Sequence, residues 1–255
     1  MNDTINTICN LHSTHGNFTA RPIEDATLQM ILDTCVNAAN ASNRQSYSVI
    51  VLRGEDKVHK LLGCGAKAPA ALLFCADFNR IYAVGEQLGY PSDYDDLFNY
   101  LTAHTDAVIA AQTAVIAAAS LGLSYLYTNS VHNRNRKDIA ELYEELMLPK
   151  EHFFPVTAVL LGYEDKAPEY KKGRLKDIGI VHYDTYQRLT PEKTEEIIRR
   201  VNNPENHFGD KCGCDTYLEF YYTKWSSPKT AEEKQRMDQP LYDKMKSFIK
   251  INGLH

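Results

Sequence analysis

Two residue pairs in this chain have the types and spacing to grip a ligand. Asn43 and Gln45 lie in NAANASNRQSYSVIVL, residues 37–52, where an amide-rich stretch leads into an apolar one. They stand at i and i+2, so in extended backbone their side chains project to one side. Each amide carries both a donor and an acceptor. Such a pair suits the edge of a planar heterocycle, for example the pyrimidine part of a flavin. A polar turn closing a helix would use the same residues, because Asn favours turns. Lys172 and Arg174 flank Gly173 with the same spacing. The Arg fork matches phosphate, Lys adds a point charge, and Gly lets the backbone come close. A solvated charged loop is the plainer use of that tripeptide.

Other signatures are absent. The sequence has no GxGxxG after a strand, no GxxxxGK[ST], no HExxH and no GxSxG. Its nine His are dispersed. Cys212 and Cys214 form a CxC with His207 nearby, short of the four ligands that zinc usually takes, so no metal site is expected. Cys35, Cys64 and Cys75 sit in apolar segments and read as small core residues.

The elements that must position the two pairs follow from periodicity. Leu28, Ile31, Leu32, Cys35 and Val36 have helical spacing, with Asp25 as the expected N-cap. A strand follows at 46–52, a short amphipathic helix near 54–62 ended by Gly63, and a buried strand, PAALLFCAD, at 69–77. Residues 95–121 carry the longest helix, and its AVIAAQTAVIAAAS portion is apolar or small almost all round. That suits a central core helix or one at a subunit interface. LGLSYLYTN, 121–129, runs into a strand, RNRKDIAELYEELML is an amphipathic helix, and FPVTAVLLGY, 154–163, is another strand. The order shows no regular βαβ repeat and favours an α+β layered sheet. After residue 187 the chain is polar, with helices expected at 191–202 and 229–250. This gives two segments: a domain at 1–187, and an extension at 188–255 that packs on the core or on a partner.

The 255 residues are 44% hydrophobic and 24% charged, ordinary for a globular protein. A net charge of −5 argues against general nucleic-acid binding, which needs a basic footprint. The polar start MNDTINTICNLHSTHGNF lacks an export signal, and no apolar run approaches a membrane span. A cytoplasmic protein with no membrane association and no disulfide framework is expected.

Four landmarks, in order, make the chain resemble the FMN-dependent nitroreductase family over about residues 12–187. FTARPIED before a helix is similar to the family's opening. ANASNRQSYSVIVL resembles its Asn-x-Gln segment, and AQTAVIAAASLGLSYLYTN resembles its Ala-rich helix, Gly-Leu turn and strand. LLGYEDKAPEYKKGRL resembles its Gly-Tyr strand end, loop and Lys-x-Arg.

The resemblance implies a nitroreductase-like sheet, mixed but largely antiparallel, flanked by helices in an intertwined homodimer with FMN at the interface. It implies Asn43 and Gln45 at the isoalloxazine or ribityl group. Lys172 and Arg174 would hold the phosphate, and backbone near Thr128 and Asn129 would lie close to the ring. One departure matters. The family usually opens Arg-Ser-x-Arg, whereas this chain has His12-Ser13-Thr14-His15. His12, Ser13 and His15 would then take the phosphate-binding places. A histidine's charge changes between about pH 5 and 8, so FMN affinity should fall as pH rises through that range. A flat affinity curve across pH would remove the histidines from the site.

The activity implied is hydride transfer from NADH or NADPH to FMN, then reduction of a small electron-poor acceptor in ping-pong order, with no residue required as acid or base. Acceptors of the family include nitroaromatics, quinones and flavins. Tyr82, Tyr90, Tyr94, Phe98 and Tyr100 would line the acceptor side or simply pack. A flavin store or sensor without turnover, or an interaction protein without flavin, are the other classes open to this sequence.

Overall fold

A computed structural model describes residues 2–63, 67–90, 97–132, 139–226, 239 and 241–245. In chain order it gives α1 (Asp3–Asn10), α2 (Asp25–Val36), β1 (Tyr47–Arg53), α3 (Glu55–Leu62) and β2 (Ala70–Asp77). Next come α4 (Asn79–Leu88), α5 (Leu97–Ser120), β3 (Ser124–Thr128), α6 (Ile139–Glu145), β4 (Phe153–Gly162), α7 (Pro191–Asn202) and α8 (Tyr217–Phe220). Cys64 and Tyr94 lie outside the described residues, as does most of the helix expected at 229–250.

Among the described residues, four strands form one sheet in the order β1-β2-β4-β3, and its ladders are antiparallel. The central places go to the most apolar strands. All eight residues of β2 and all ten of β4 are buried, because helices cover both faces. Alternation divides the side chains. Leu72, Phe74 and Ala76 face the cluster that holds Leu28 and Ile31 of α2 and the Ala stripe of α5. Leu73 and Cys75 face a second cluster with Val58 and Leu62 of α3 and Leu142 of α6. Burying each such Leu or Phe contributes about 1.5–3 kcal/mol.

Pro155 has no N–H for a ladder, so it must sit where the ladder breaks. The register of β2 against β4 shifts there: Phe74 opposes Thr157 and Cys75 opposes Pro155. Val156 is the extra residue of a bulge. The N-terminal segment adds an isolated parallel bridge, Ser13 to Tyr125 of β3.

Helix α5 buries Ala103, Ala107, Ala110, Ala111, Ala114 and Ala118 completely. Its other side leaves Phe98, Leu101, Val108 and Ile109 exposed. Asp25 is not the N-cap of α2. Glu24 takes that place, and Asp25 opens the helix and accepts from Arg53 on β1 instead.

The chain divides into two units, residues 1–166 with 233–255, and residues 167–232. In the first, Leu241 and Met245 pack on the core. In the second, Thr190 caps α7 through Lys193 N, and Arg200 joins Glu196 and Asp177 at 2.6 Å each. Among the described residues, no helix is long and apolar enough to cross a membrane.

Candidate functional site

The amides of the opening pair sit on a turn that the backbone would not adopt unaided. Ser42, Asn43 and Gln45 all have left-handed φ, at 51°, 54° and 51°. Asn tolerates this region; for Ser and Gln it costs roughly 1–2 kcal/mol each. The turn is held from below. Asp106 of α5, a lone carboxylate in an Ala-rich face and 2% exposed, accepts from Ala41 N at 2.9 Å and Ser46 Oγ at 2.7 Å. Gln45 N donates to Asn40 Oδ1 at 3.0 Å, and Arg44 reaches Asn99 of α5 at 2.8 Å. Arg80 of α4 donates to Tyr47 O at 3.1 Å. Asn43 and Gln45 themselves are exposed. A strained backbone turn thus leaves two amides open to solvent, and strain of this kind clusters at functional sites.

Thr128 and Asn129 lie at the end of β3, in the wall of a cleft of about 330 Å³. The bulge supplies another wall through Val156 and Thr157, and α5 adds His104 and Val108. His132 closes it from the 3-10 turn Ser130–His132. Its Nε2 donates to Pro155 O at 2.7 Å, the carbonyl at the bulge. The His104 ring lies 6.0 Å from that of Tyr100, and the His132 ring 5.5 Å from that of Phe154. Asn43 and Gln45 are not part of this cleft wall.

Both imidazoles are held neutral. Burial lowers the pKa of His104 below the ordinary 6.5. For His132 burial is again the main cause; the Pro155 hydrogen bond opposes it and His104 reinforces it. A folded-state pKa below the unfolded value means that the unfolded chain binds more protons in acid. The contribution is present above about pH 6.5 and is lost as pH falls through the lowered folded values. Stability measured by urea midpoint should therefore drop as pH falls below about 6.5 in the wild type. That slope should flatten in His132→Phe, whatever its baseline stability.

The N-terminal segment runs beside β3. Thr14 N donates to Tyr125 O at 2.8 Å, which ties the segment beside β3. His12 Nε2 meets Glu164 Oε1 at 2.9 Å, and Thr14 Oγ donates to Glu164 Oε2 at 2.9 Å. Glu164 thus engages the side chain expected to face a phosphate. Ser13 and His15 are exposed.

Lys172 and Arg174 belong to the second unit. Lys172 Nζ lies 5.7 Å from the centre of the Tyr170 ring, which stacks on His207 at 3.7 Å. Arg174 Nη1 turns back to the carbonyls of Lys172 and Gly173, at 3.3 and 2.9 Å. Gly173 is required by packing: a Cβ there would fall 2.3 Å from Asn206 O and 2.5 Å from the Phe208 ring. Backbone cannot step aside, so Gly173→Ala should cost about 1–3 kcal/mol. Limited proteolysis within residues 167–232 should report it as faster cleavage.

Of the aromatic group, Tyr82 stacks on His152 at 4.0 Å and Tyr100 is buried, whereas Tyr90 and Phe98 are exposed. Cys212 is exposed and Cys214 half-buried, and the described residues contain no group of three potential metal ligands.

Asp106, His104 and His132 were not apparent from sequence spacing. Asp106 had a signal, as a single charge inside an Ala-rich helix. The two His are 28 positions apart and meet only through the bulge and the turn after β3.

No family model matches the chain. The FMN reductase [NAD(P)H] of Bacillus subtilis is 30% identical over 244 residues, covering 87% of this chain and 94% of that protein. The oxygen-insensitive NADPH nitroreductase of Salmonella typhimurium is 27% identical over an alignment of 263 residues, covering 100% and 97%. Among solved structures, nitroreductase A from Vibrio parahaemolyticus aligns with a TM-score of 0.77 at 25% identity, over 98% of this chain and 99% of that one. An NADPH:FMN oxidoreductase from Vibrio harveyi, complexed with NAD+, shares the fold with a TM-score of 0.74, at 24% identity and over 94% and 98%. A relative of this identity and coverage, and a fold matched from end to end, establish kinship: the chain belongs to the nitroreductase family of NAD(P)H-dependent flavin oxidoreductases.

Proposed function

We propose that the protein binds FMN and, with NADH or NADPH as donor, reduces a small electron-poor acceptor such as a nitroaromatic, a quinone or a flavin. The observation that carries this reading is the strained turn that presents Asn43 and Gln45 outward, in a chain whose relatives over nearly full length include an FMN reductase. When bound, FMN supplies the two-electron chemistry, with donor and acceptor handled in ping-pong order. The protein supplies binding and orientation. Asn43 and Gln45 would meet the isoalloxazine or ribityl group, and Thr128 and Asn129 would border the ring. Lys172, Arg174, Ser13 and the two N-terminal histidines, His12 and His15, would serve the phosphate. The neutral, half-buried cleft by Thr128 fits a flat uncharged ring.

The working unit of this reading is a homodimer, with residues 188–255 as an extension on the core or partner. Its support is the exposed apolar side of α5, where Phe98 is 74% and Leu101 53% accessible. Sedimentation at micromolar concentration should give a dimer; a monomer would remove that part.

One observation favours a second reading, a flavin store or sensor without turnover. Glu164 already occupies His12, which weakens any pull on a phosphate. The deciding experiment is an absorption spectrum before and after adding FMN, and then NADH or NADPH without oxygen. A bound flavin spectrum that bleaches supports the enzyme and names the donor. One that stays oxidised supports the store. No bound flavin refutes both.

A further inference from the structure

The cleft beside Thr128 carries a specific hydrogen-bond pattern, set by two histidine tautomers. His132 Nε2 faces the Pro155 carbonyl at 2.7 Å. A carbonyl only accepts, so the proton of the neutral ring sits on Nε2 and Nδ1 keeps its lone pair. His104 is fixed differently. Its Nδ1 is sealed from solvent with no hydrogen-bond partner. Burying a bare acceptor costs less than burying an orphaned N–H, so the proton belongs on Nε2. Among the described residues that nitrogen has no hydrogen-bond partner, and His104 lines the cleft.

From these two tautomers we infer that the cleft binds the cis-amide edge of a planar ligand, with His104 Nε2–H donating to its carbonyl and His132 Nδ1 accepting from its N–H. Two groups in the proposed chemistry have such an edge, the pyrimidinedione of a flavin and the carboxamide of a nicotinamide. A quinone has the carbonyl but no N–H, so the pair would discriminate against it. The inference rests on the proposed flavin function, because it assigns ligand contacts within that site.

The test has two parts. Imidazole 15N NMR of the wild type should show both His104 and His132 as neutral Nε2–H rings at pH 7.5. On ligand binding, the Nδ1 signal of His132 should move in the direction of an accepted hydrogen bond. Then FMN is titrated into wild type, His104→Phe and His104→Gln, followed by NAD+ into the FMN-loaded proteins. Loss of one hydrogen bond should weaken binding by about five- to tenfold in His104→Phe. The Gln side-chain N–H should restore most of it. Weakening confined to FMN assigns the flavin edge, and weakening confined to NAD+ assigns the carboxamide. An Nδ1–H tautomer at His104, or equal affinity of wild type and His104→Phe for both ligands, would overturn the inference while leaving the flavin function standing. A wild type that binds neither ligand would overturn both.

Discussion

Asp106→Ala is expected to lower the unfolding free energy by about 2–4 kcal/mol and to weaken FMN binding as well. The carboxylate is 2% exposed and receives two donors, Ala41 N and Ser46 Oγ. Its removal leaves both inside the protein without acceptors, at about 1–3 kcal/mol each. Relief of the carboxylate's own desolvation offsets part of that. The second effect follows from the turn. Without Asp106, the turn loses its anchors at Ala41 and Ser46 and relies on Asn40, Arg44 and Arg80, so the amides lose part of their fixed placement. Urea denaturation and FMN titration on the same variant read the two effects. A midpoint close to wild type would mean that the turn is held by Asn40, Arg44 and Arg80 alone.

Replacing both Lys172 and Arg174 by Ala should raise the FMN dissociation constant by about a hundredfold or more, since each charge-assisted hydrogen bond contributes about 1.5–3 kcal/mol. Riboflavin, which has no phosphate, should bind the variant and the wild type alike. The salt dependence of FMN binding should shrink with the two charges. An equal loss for FMN and riboflavin would mean that the pair supports the fold of residues 167–232 instead of meeting a phosphate. The arrangement of Arg174 fits a side chain in waiting: its hydrogen bonds go to the carbonyls of Lys172 and Gly173, weak partners that an anion would outcompete.

The core was legible because its physics is local. PAALLFCAD and FPVTAVLLGY are short, nearly continuous apolar runs, and they form the two central strands. The Ala-rich run gave α5 for the same reason. Helix α4 is hard to read in the sequence because Gly85 interrupts its pattern. That Gly is kept by packing, since a Cβ there would fall 2.9 Å from Tyr90 O. Helix α1 has no buried residue and so no clear apolar face to read. The cap of α2 lies one position before the Asp25 that spacing predicts, because Asp25 answers to Arg53, a partner 28 residues away. The amide pair stands out in composition, whereas the strained turn that carries it depends on Asp106, some 60 residues further on. The histidine pair was illegible in principle, because it depends on a bulge that exists only once β2 and β4 are paired.

That pairing also sets an order of events during synthesis. Strand β2 leaves the ribosome soon after β1 and can form a hairpin-like pair with it. Its other edge waits for β4, which lies beyond residues 78–152. At about 5–20 residues per second, translation leaves that edge open for roughly 4–15 s. The uncovered segment is Ala70–Asp77, eight residues that are all buried in the finished protein. An apolar open edge of this kind templates pairing with other chains. The nascent protein is therefore most prone to aggregate in the middle of its translation, and slowing the ribosome between residues 78 and 152 should lower soluble yield more than slowing it after residue 166.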